Sequence, residues 1–360
     1  MIRRRQYSFL DSVPELVEGF DFRFSIRFLS LSKGSISGSV PEPIRRVRYS
    51  GPSLEWSEYL ISILAILVVT FSISACSDGL TTTDELAKTT NQSPYIAKVF
   101  DYQYGPGQHA SLIVPDEKCN AFISEPWING KSFTYLGGWG GYIIAGFDHA
   151  VNNMNGPDIA VYTQPSVGSE PGVVYVMADT NNDGLPNDGP WLELKGSEYN
   201  NPQTIHNYQV TYYKPGTSGY VTWKDNQGKE GTLVPQFGTG SWWWGGYGDK
   251  TSVTFFGEKL PDAYANTSKD PSVPLWMPIG GLFRFGYAEC YDNEDYNAKL
   301  KANFFDISTA VDASGVPVNL SKVNFIMVQS GVFQMAGWLN EVSTEISGAA
   351  DIHLLDKKSY

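Results

Sequence analysis

Short apolar runs of four to six residues alternate with turn-rich segments along most of the chain. Tyr142–Phe147, Ile159–Tyr162 and Val173–Met177 are the clearest of these runs. Asn, Asp, Gly and Pro fill the segments between them, and this is the pattern of short strands joined by tight turns. Amphipathic runs long enough for a sizeable helix do not accompany them. The pattern therefore predicts an all-β fold.

The same pattern continues toward the C-terminus. Further strand-like runs follow at Tyr208–Lys214, Tyr220–Trp223, Val323–Val328, Ile346 and Asp351–Leu355. Phe304–Val311 is short enough to form one helical turn. We expect residues 95–360 to form a single β-sandwich domain of about 10–14 strands with few short helical turns.

A glycine-rich string, LGGWGGY, stands directly before the first of these strands. The Gly-Lys-Ser/Thr sequence of a phosphate-binding loop does not follow it. Glycines at the start of a strand allow another backbone to approach closely, or a bulge to form. We therefore expect these glycines to serve packing.

Composition and charge narrow the function classes. The chain has 36 Gly and 21 Pro, and its 21 Tyr, 19 Phe and 10 Trp suit strands joined by tight turns. Its net charge is −12, and residues 76–360 carry 17 Lys and Arg against 31 Asp and Glu. Such a surface repels phosphate backbones, so we expect no nucleic-acid partner. The charge suits solubility, calcium or cationic partners.

The N-terminal segment has the features of a bacterial lipoprotein signal. The apolar run from Leu60 to Ile73 has the length of a signal-peptide core and is short of the roughly 20 residues of a membrane span. Ile73-Ser74-Ala75-Cys76 is similar to a lipobox, in which Cys76 is acylated and becomes the first mature residue. A core strand or an anchor helix that happens to end in Ser-Ala-Cys is the alternative.

These features divide the N-terminal part of the chain. Residues 1–75 are expected to be an upstream extension plus the signal peptide, and the first ~55 to be translated through a misplaced start. Residues 76–94 are polar and predict a flexible tether. The protein would then lie at the outer membrane or cell surface, with a lipid as its only contact with the membrane.

Cysteine is sparse, with Cys76, Cys119 and Cys290 only. If Cys76 carries the lipid, a disulfide between the other two is arithmetically possible in an oxidising compartment. Two free thiols are the alternative.

An acidic loop, DTNNDGLPND, follows the third strand-like run directly. Side chains at its alternate positions one, three and five can converge on a cation, a glycine at position six makes the turn, and position seven offers a carbonyl. The predicted calcium ligands are Asp179, Asn181, Asp183, Leu185, Asn187 and Asp188. Position twelve is Pro190, so Asp188 or Glu193 would have to complete the shell. A polar hairpin tip whose side chains cap their own backbone is the alternative.

A second unusual string, GTGSWWWGGYG, contains Trp242, Trp243, Trp244 and Tyr247. Consecutive residues of a strand point to opposite faces, so at least one indole would face solvent if this were a strand. An exposed indole beside glycines can stack on a sugar or another flat ligand, and these four residues are the predicted ligand-binding site. Rings that fill the sandwich core are the alternative.

Motifs for catalysis are missing. Glu341 and Glu345 would lie roughly 13 Å apart on one face of a strand, beyond the about 5–9.5 Å of glycosidase carboxyl pairs. The four histidines show no metalloprotease spacing, and no serine nucleophile elbow occurs. We expect a protein that is not an enzyme.

Long stretches resemble a family of Bacteroidetes cell-surface lipoproteins. The resemblance spans about residues 95–355 and rests on GGWGGYIIAGFDHAVNNMNGPDIAVYT, EPGVVYVMADTNNDGLPNDGPWLELKGSEY, YQVTYYKP, TWKDNQG, FDISTAVD and GWLNEVSTEISGAADIHL. It implies a jelly-roll-like sandwich that accompanies TonB-dependent uptake systems of the outer membrane, including cobalamin-type loci. Members often have an Asn-Gly-Asn-Gly loop followed by Asp-Asp-Glu. Here the loop reads NNDGLPNDGPW, so the last calcium ligands differ.

The expected function is therefore a binding module. It would capture a nutrient, either a glycan or a cobalamin-like molecule, for a TonB-dependent receptor, with calcium stabilising its loops. A structural or adhesive surface protein is the first alternative, and a calcium-dependent hydrolase is the second.

Overall fold

A computed structural model describes residues 92–108, 126, 133–163, 169–270, 273–291 and 293–356. Contacts divide the chain into two units, Met1–Ser77 and Asp78–Tyr360, and every described residue belongs to the second. Cys76 and the predicted signal peptide lie outside the described residues, as do Cys119 and nearly all of the predicted tether. The described part is almost entirely β-structure, which confirms the predicted all-β class.

The described residues form 18 strands, more than the predicted 10–14 because seven of them have only two or three residues. The strands are β1 Lys98–Gln103, β2 Thr134–Tyr135, β3 Tyr142–Asn152, β4 Ile159–Thr163, β5 Ser169–Met177, β6 Leu192–Leu194, β7 Ile205–Tyr213, β8 Thr222–Asp225, β9 Glu230–Thr232, β10 Ser252–Lys259, β11 Tyr264–Asn266, β12 Trp276–Pro278, β13 Tyr287–Cys290, β14 Tyr296–Asn297, β15 Ala302–Phe305, β16 Ala310–Val311, β17 Lys322–Ser330 and β18 Glu345–Asp351. Two 3₁₀ helices, Gly240–Tyr247 and Ile307–Thr309, complete the elements.

Two antiparallel sheets form the sandwich. The larger has seven strands in the order β1-β3-β17-β5-β6-β16, with β13 also paired to β5. The smaller has five strands in the order β14-β15-β4-β18-β2. Consecutive strands β3, β4 and β5 alternate between the two sheets, so the chain crosses the core repeatedly.

The main core lies between these sheets. Apolar side chains at alternate positions of β5 and β17, among them Val174, Val176 and Ile326, contact those of β4 and β18. Strand β4 is buried on both faces, because Ile159 and Val161 enter the main core and Ala160 and Tyr162 enter a second cluster. This explains why its sequence, IAVYT, is a continuous apolar run without polar alternation.

A third sheet of four strands, in the order β10-β7-β8-β9, carries an aromatic core of its own. Its buried rings include Tyr104, Trp139, Tyr208, Tyr212, Trp243, Trp244, Tyr247 and Phe255. Gln329 of β17 ties this sheet to the larger one, since its side-chain amide donates to Phe256 O at 2.9 Å and Gly140 O at 3.0 Å.

Most predicted strands are confirmed, and one is wrong. The run Asp351–Leu355 forms turns after β18 ends at Asp351. The Asp351 side chain accepts the His353 N–H at 2.9 Å, and its carbonyl accepts the Leu354 N–H at 3.4 Å, so the chain turns away from the sheet. The predicted helical turn within 304–311 is confirmed as Ile307–Thr309, capped by Asp306.

Cys290 is a free thiol that is buried in the core beside Tyr287. The proposed pairing partner, Cys119, lies outside the described residues. For Cys290 the alternative of an unpaired thiol therefore holds.

Candidate functional site

The tryptophan string forms a 3₁₀ helix, Gly240–Tyr247, and not a strand whose side chains would point to opposite faces. Trp243 and Trp244 are each 3 % exposed and Tyr247 is 4 % exposed. The prediction of an exposed stacking site is therefore wrong for these three residues, because the helix packs within the aromatic core and all three rings are buried there. The side chain of Trp242 lies outside the part that the structure describes.

Hydrogen bonds hold this helix in the core. Tyr104 donates its hydroxyl to Trp243 O at 2.7 Å, and Tyr247 donates to Tyr104 O. Trp244 donates its indole N–H to Lys250 O at 2.7 Å. Burial raises the pKa of Tyr247 well above its usual value. The polar tips of Tyr104, Trp244 and Tyr247 thus each have a backbone partner.

An exposed aromatic pair stands elsewhere, beside an apolar pocket. Trp338 is 75 % exposed, and its ring contacts that of Phe237, which is 49 % exposed, with 5.4 Å between centroids. Phe237 and Trp338 each come three residues after a pocket-lining residue, Val234 and Met335, and both of these are also exposed. We call Val234, Phe237, Met335 and Trp338 the aromatic rim.

The pocket beside the rim has about 370 Å³ of space, part of which is open to solvent. Its wall is formed by the buried rings of Trp139, Tyr212 and Trp243 and the partly buried ring of Phe333, and Asn340 and Glu341 contribute polar groups. Asn340 donates its side-chain amide to Val234 O at 2.6 Å, which holds the two loops of the mouth together. Trp243 therefore belongs to a candidate site after all, as part of a pocket wall.

The predicted calcium loop follows β5 and is exposed to solvent. Asp179 accepts the N–H groups of Asp183 at 3.2 Å and of Gly184 at 2.9 Å, so its carboxylate lies inside the turn. The amide groups of Asn181 and Asn187 donate to the second oxygen of Asp183 at 3.1 and 3.2 Å. Gly184 has a φ of 73°, which allows the sharp turn at position six. Side chains at positions one, three and five thus converge.

The rest of the predicted shell is less complete. Asp188 accepts the N–H groups of Thr180 and Asn181 at 2.5 and 2.9 Å, and the hydrogen bond from Asn181 does most to lower the pKa of Asp188. The Leu185 carbonyl accepts the Asn187 N–H at 2.9 Å. Glu193, the other residue considered for this shell, is directed elsewhere.

A second pocket, of about 730 Å³, lies between the larger sheet and the four-stranded sheet. Its floor is the outer face of the larger sheet. On β6, Leu192 and Leu194 point into the main core, so Glu193 between them points outward. Its cross-strand partner on β5 is Tyr175, which shares that face. The opposite wall comes from Phe256, Gly257 and Glu258 of β10.

An irregularity in the β7–β10 ladder aims two more polar side chains into this region. The register shifts between Gly257 and Lys259, where two residues of β7, His206 and Asn207, stand opposite the single residue Glu258 of β10. Asn207 itself has a φ of 54°, a left-handed conformation. Nδ1 of His206 lies 2.5 Å from Oε2 of Glu258. Glu193, His206 and Glu258, which we call the acid–histidine cluster, offer ligand atoms that all lie within 4.8 Å of one another.

The electrostatics of this cluster are unusual. Burial, followed by the charge of Glu258, raises the pKa of Glu193 to about 9. Burial also raises the pKa of Glu258, and the nearby His206 opposes that rise. Two carboxyl groups this close in a pocket resist carrying two negative charges at once.

Besides Oε2 of Glu258, two buried oxygens in the same pocket have no hydrogen bond of good geometry. They are the hydroxyl of Tyr175, a residue only 8 % exposed, and Oε1 of Gln329, a residue only 3 % exposed. Oε1 lies beside Gly257, where a Cβ would stand 1.9 Å from it. Buried polar atoms normally have partners, so these two mark a place where something polar is expected.

The remaining acid–histidine contacts serve the fold. Asp158 is fully buried and accepts hydrogen bonds from Met154 N, Ile307 N and Nε2 of His353. His149 lies between Asp148, at 2.7 Å, and Asp351, at 3.0 Å. These pairs join the ends of β3, β4 and β18, where they pin chain segments together.

Sequence reasoning missed both the aromatic rim and the acid–histidine cluster. Trp338 and Phe237 are single aromatic residues in loops, and no pattern around them indicates that they are exposed together. In the cluster, the alternation Leu192-Glu193-Leu194 indicates only that the carboxylate faces away from the core. Nothing local distinguishes such a residue from an ordinary solvent-facing glutamate.

Comparisons with models of protein families and with curated proteins found no match. In the described part of the chain, no helix is long and apolar enough to cross a membrane.

Proposed function

We propose that this protein is a lipid-anchored cell-surface module that binds a small ligand at the aromatic rim. The observation that carries the proposal is the Trp338–Phe237 pair, exposed beside a pocket of about 370 Å³. Exposing an indole to this extent has a solvation cost that a stacked ligand removes. Contiguous exposed apolar groups at a pocket are typical of ligand sites.

The chemistry of the rim favours a flat, amphipathic ligand. Rings stack on the apolar face of a sugar or of a macrocycle, and the side chains of Asn340 and Glu341 offer polar groups at the same pocket. The net charge of −12 disfavours anionic ligands. A neutral glycan or a cobalamin-like molecule, captured for a TonB-dependent receptor, fits these conditions.

Calcium would stabilise the loop at 179–188 in this proposal. Support comes from the convergence of Asp179, Asn181 and Asp183 around Gly184, since these are oxygen donors at the spacing that calcium loops use. The calcium ion would fix the conformation of this loop and would not contact the ligand, because the loop follows β5 and lines neither pocket.

The test is a binding screen against neutral glycans and corrinoids, followed by calorimetry on variants. Trp338→Ala and Phe237→Ala are each expected to weaken binding at least about tenfold, because stacking on an aromatic ring contributes roughly 1–3 kcal/mol. Phe285→Ala is the matched control, since Phe285 is another exposed aromatic residue, at 39 %, that lines neither pocket. Ligand affinity that is equal in all three variants would overturn the proposal.

A further inference from the structure

We propose that Glu193, His206 and Glu258 bind a divalent transition-metal ion, of which Zn²⁺ is the representative. This site is separate from the calcium loop and from the aromatic rim. It rests on a cluster brought together by three strands and on unpartnered buried oxygens beside it.

The geometry of the ligand atoms suits an ion. All lie within 4.8 Å of one another, and His206 and Glu258 are already 2.5 Å apart. A zinc ion about 2.0–2.2 Å from each ligand brings the ligand atoms to about 3–3.5 Å from one another. Adjustments of about 1 Å in the side chains satisfy this distance, and His206, whose side chain is 39 % exposed, has room to make them.

Gln329 supplies an independent indication. Its side-chain amide nitrogen donates to two backbone carbonyls, Gly140 O and Phe256 O, and this fixes which end of the amide is the oxygen. Oε1 must therefore face Gly257 and the pocket, where it has no donor. A water molecule on a metal ion is a strong hydrogen-bond donor and would satisfy this acceptor.

Tyr175 points to the same place. Its hydroxyl is buried near the backbone N–H of Glu258 without a hydrogen bond of good geometry, and it lines the pocket as the cross-strand neighbour of Glu193. Burial, and then the charges of Glu193 and Glu258, raise the pKa of this phenol. The hydroxyl therefore faces the cluster, where it can donate to a ligand carboxylate and hold it in place.

The donor set selects the class of ion. One imidazole nitrogen with two carboxylates suits Zn²⁺ and similar first-row ions, whereas Ca²⁺ takes six to eight oxygen ligands. The buried carboxyl group of Glu193 and the partly buried one of Glu258 repel when both are charged, and a dication removes that repulsion. Three protein ligands leave at least one coordination position open toward a pocket of about 730 Å³.

The test is calorimetric titration of the metal-stripped protein with ZnCl₂, and separately with CaCl₂. We expect Zn²⁺ to bind at one site, and Co²⁺ in its place to give the visible absorption band of a low-symmetry nitrogen–oxygen site. Glu258→Gln and His206→Asn are each expected to weaken Zn²⁺ binding at least about 100-fold. Mutating residues that only hydrogen-bond to metal ligands already lowers metal affinity by about 10–100-fold. Glu193→Gln, which keeps the shape of a buried side chain, is expected to do the same.

Two controls separate this site from others. Glu294→Gln removes an exposed carboxylate that pairs with Arg284, and Asp183→Ala removes a carboxylate of the calcium loop. Both are expected to bind Zn²⁺ like the parent protein. Thermal unfolding of each variant without metal verifies that it folds.

Either of two results would overturn the inference. One is the absence of Zn²⁺ binding by the folded parent protein, which would leave Glu193 and Glu258 as a carboxyl pair that shares a proton. The other is Zn²⁺ binding that is unchanged in all three cluster variants. Neither result bears on ligand binding at the aromatic rim, so the two proposals fail separately.

Discussion

At the scale of single residues, a glycine allows two segments of the backbone to approach each other closely. A Cβ on Gly141 would lie 1.8 Å from Leu136 O and 2.3 Å from Gly105 N, both of them backbone atoms that cannot rotate away. The sequence indicated this packing role for the LGGWGGY string, and the structure confirms it.

Replacing Gly141 with alanine is expected to destabilise the protein by about 3 kcal/mol or more, because backbone must shift to admit the methyl group. Gly216→Ala is the control, since a Cβ there meets nothing within 4 Å. Denaturant unfolding measures both. Equal stabilities for the two variants would show that the backbone at Gly141 is not held as described.

A second residue-scale feature is the bond between His353 and the fully buried Asp158. This bond is the largest cause that raises the pKa of His353, and burial of the ring opposes it. A histidine whose folded pKa is raised binds its proton more tightly in the folded state. Its stabilising effect is therefore complete below the unfolded pKa of about 6.5 and is lost as pH rises through the folded pKa.

His353→Gln is accordingly expected to cost about 1.5–3 kcal/mol at pH 5.5 and clearly less at pH 9. Urea unfolding at both pH values provides the measurement. A loss of stability that grows as pH rises would contradict the assignment of the charged pair.

At the scale of elements, the secondary structure of Gly240–Tyr247, a 3₁₀ helix, affects whether its tryptophan side chains are buried or exposed. As a strand, WWW would present an indole to solvent. As a helix in the aromatic core, it buries Trp243 and Trp244. The two arrangements therefore predict opposite effects on stability when a tryptophan of this segment is replaced by alanine.

Trp244→Ala is expected to destabilise the protein by about 3–5 kcal/mol, because the indole is buried and donates to Lys250 O. Trp338→Ala, at an exposed position, is expected to change stability by no more than about 0.5 kcal/mol. Thermal or denaturant unfolding compares the two. The reverse order would restore the tryptophan string as the exposed site.

The acidic loop is a second element with a testable role. Calcium at millimolar concentration is expected to raise the melting temperature, with a dissociation constant of about 10⁻⁴–10⁻³ M as in extracellular modules. Asp183→Ala is expected to abolish this shift, because Asp183 is the residue at the centre of the loop. Calorimetry with CaCl₂ measures the binding directly.

Asp312→Ala is the matched control for the loop. Asp312 also accepts backbone N–H groups, those of Ser314 and Val316, in an ordinary turn. The calcium shift is expected to survive this change. A parent protein that shows no calcium shift at all would leave the loop as a hydrogen-bonded hairpin tip.

At the scale of the whole molecule, the sequence predicts a folded domain held to a membrane by one lipid. The prediction depends on Cys76, which lies outside the described residues. Cys76→Ser is expected to move the protein from the membrane fraction to the soluble fraction of a host that processes lipoproteins, and to abolish labelling by a fatty acid. A variant that stays in the membrane fraction would show that another segment anchors it.

The sequence alone determined what neighbouring residues can enforce. Short apolar runs such as Val173–Met177 and Val323–Val328, with turn residues between them, were sufficient for strands and an all-β fold, because such runs bounded by turns are typical of buried strands. Spacing within the loop at 179–188 likewise indicated a turn in which oxygens converge. These are short-range properties of backbone geometry.

Only the tertiary structure decided what distant residues do together. Glu193, His206 and Glu258 come from β6, β7 and β10, and they meet because a bulge shifts the β7–β10 register and the four-stranded sheet packs on the outer face of the larger one. Likewise, the three-dimensional packing buried Trp243 and Trp244 and left Trp338 exposed. Register and sheet packing depend on the free energy of the whole fold, so no stretch of sequence determines them by itself.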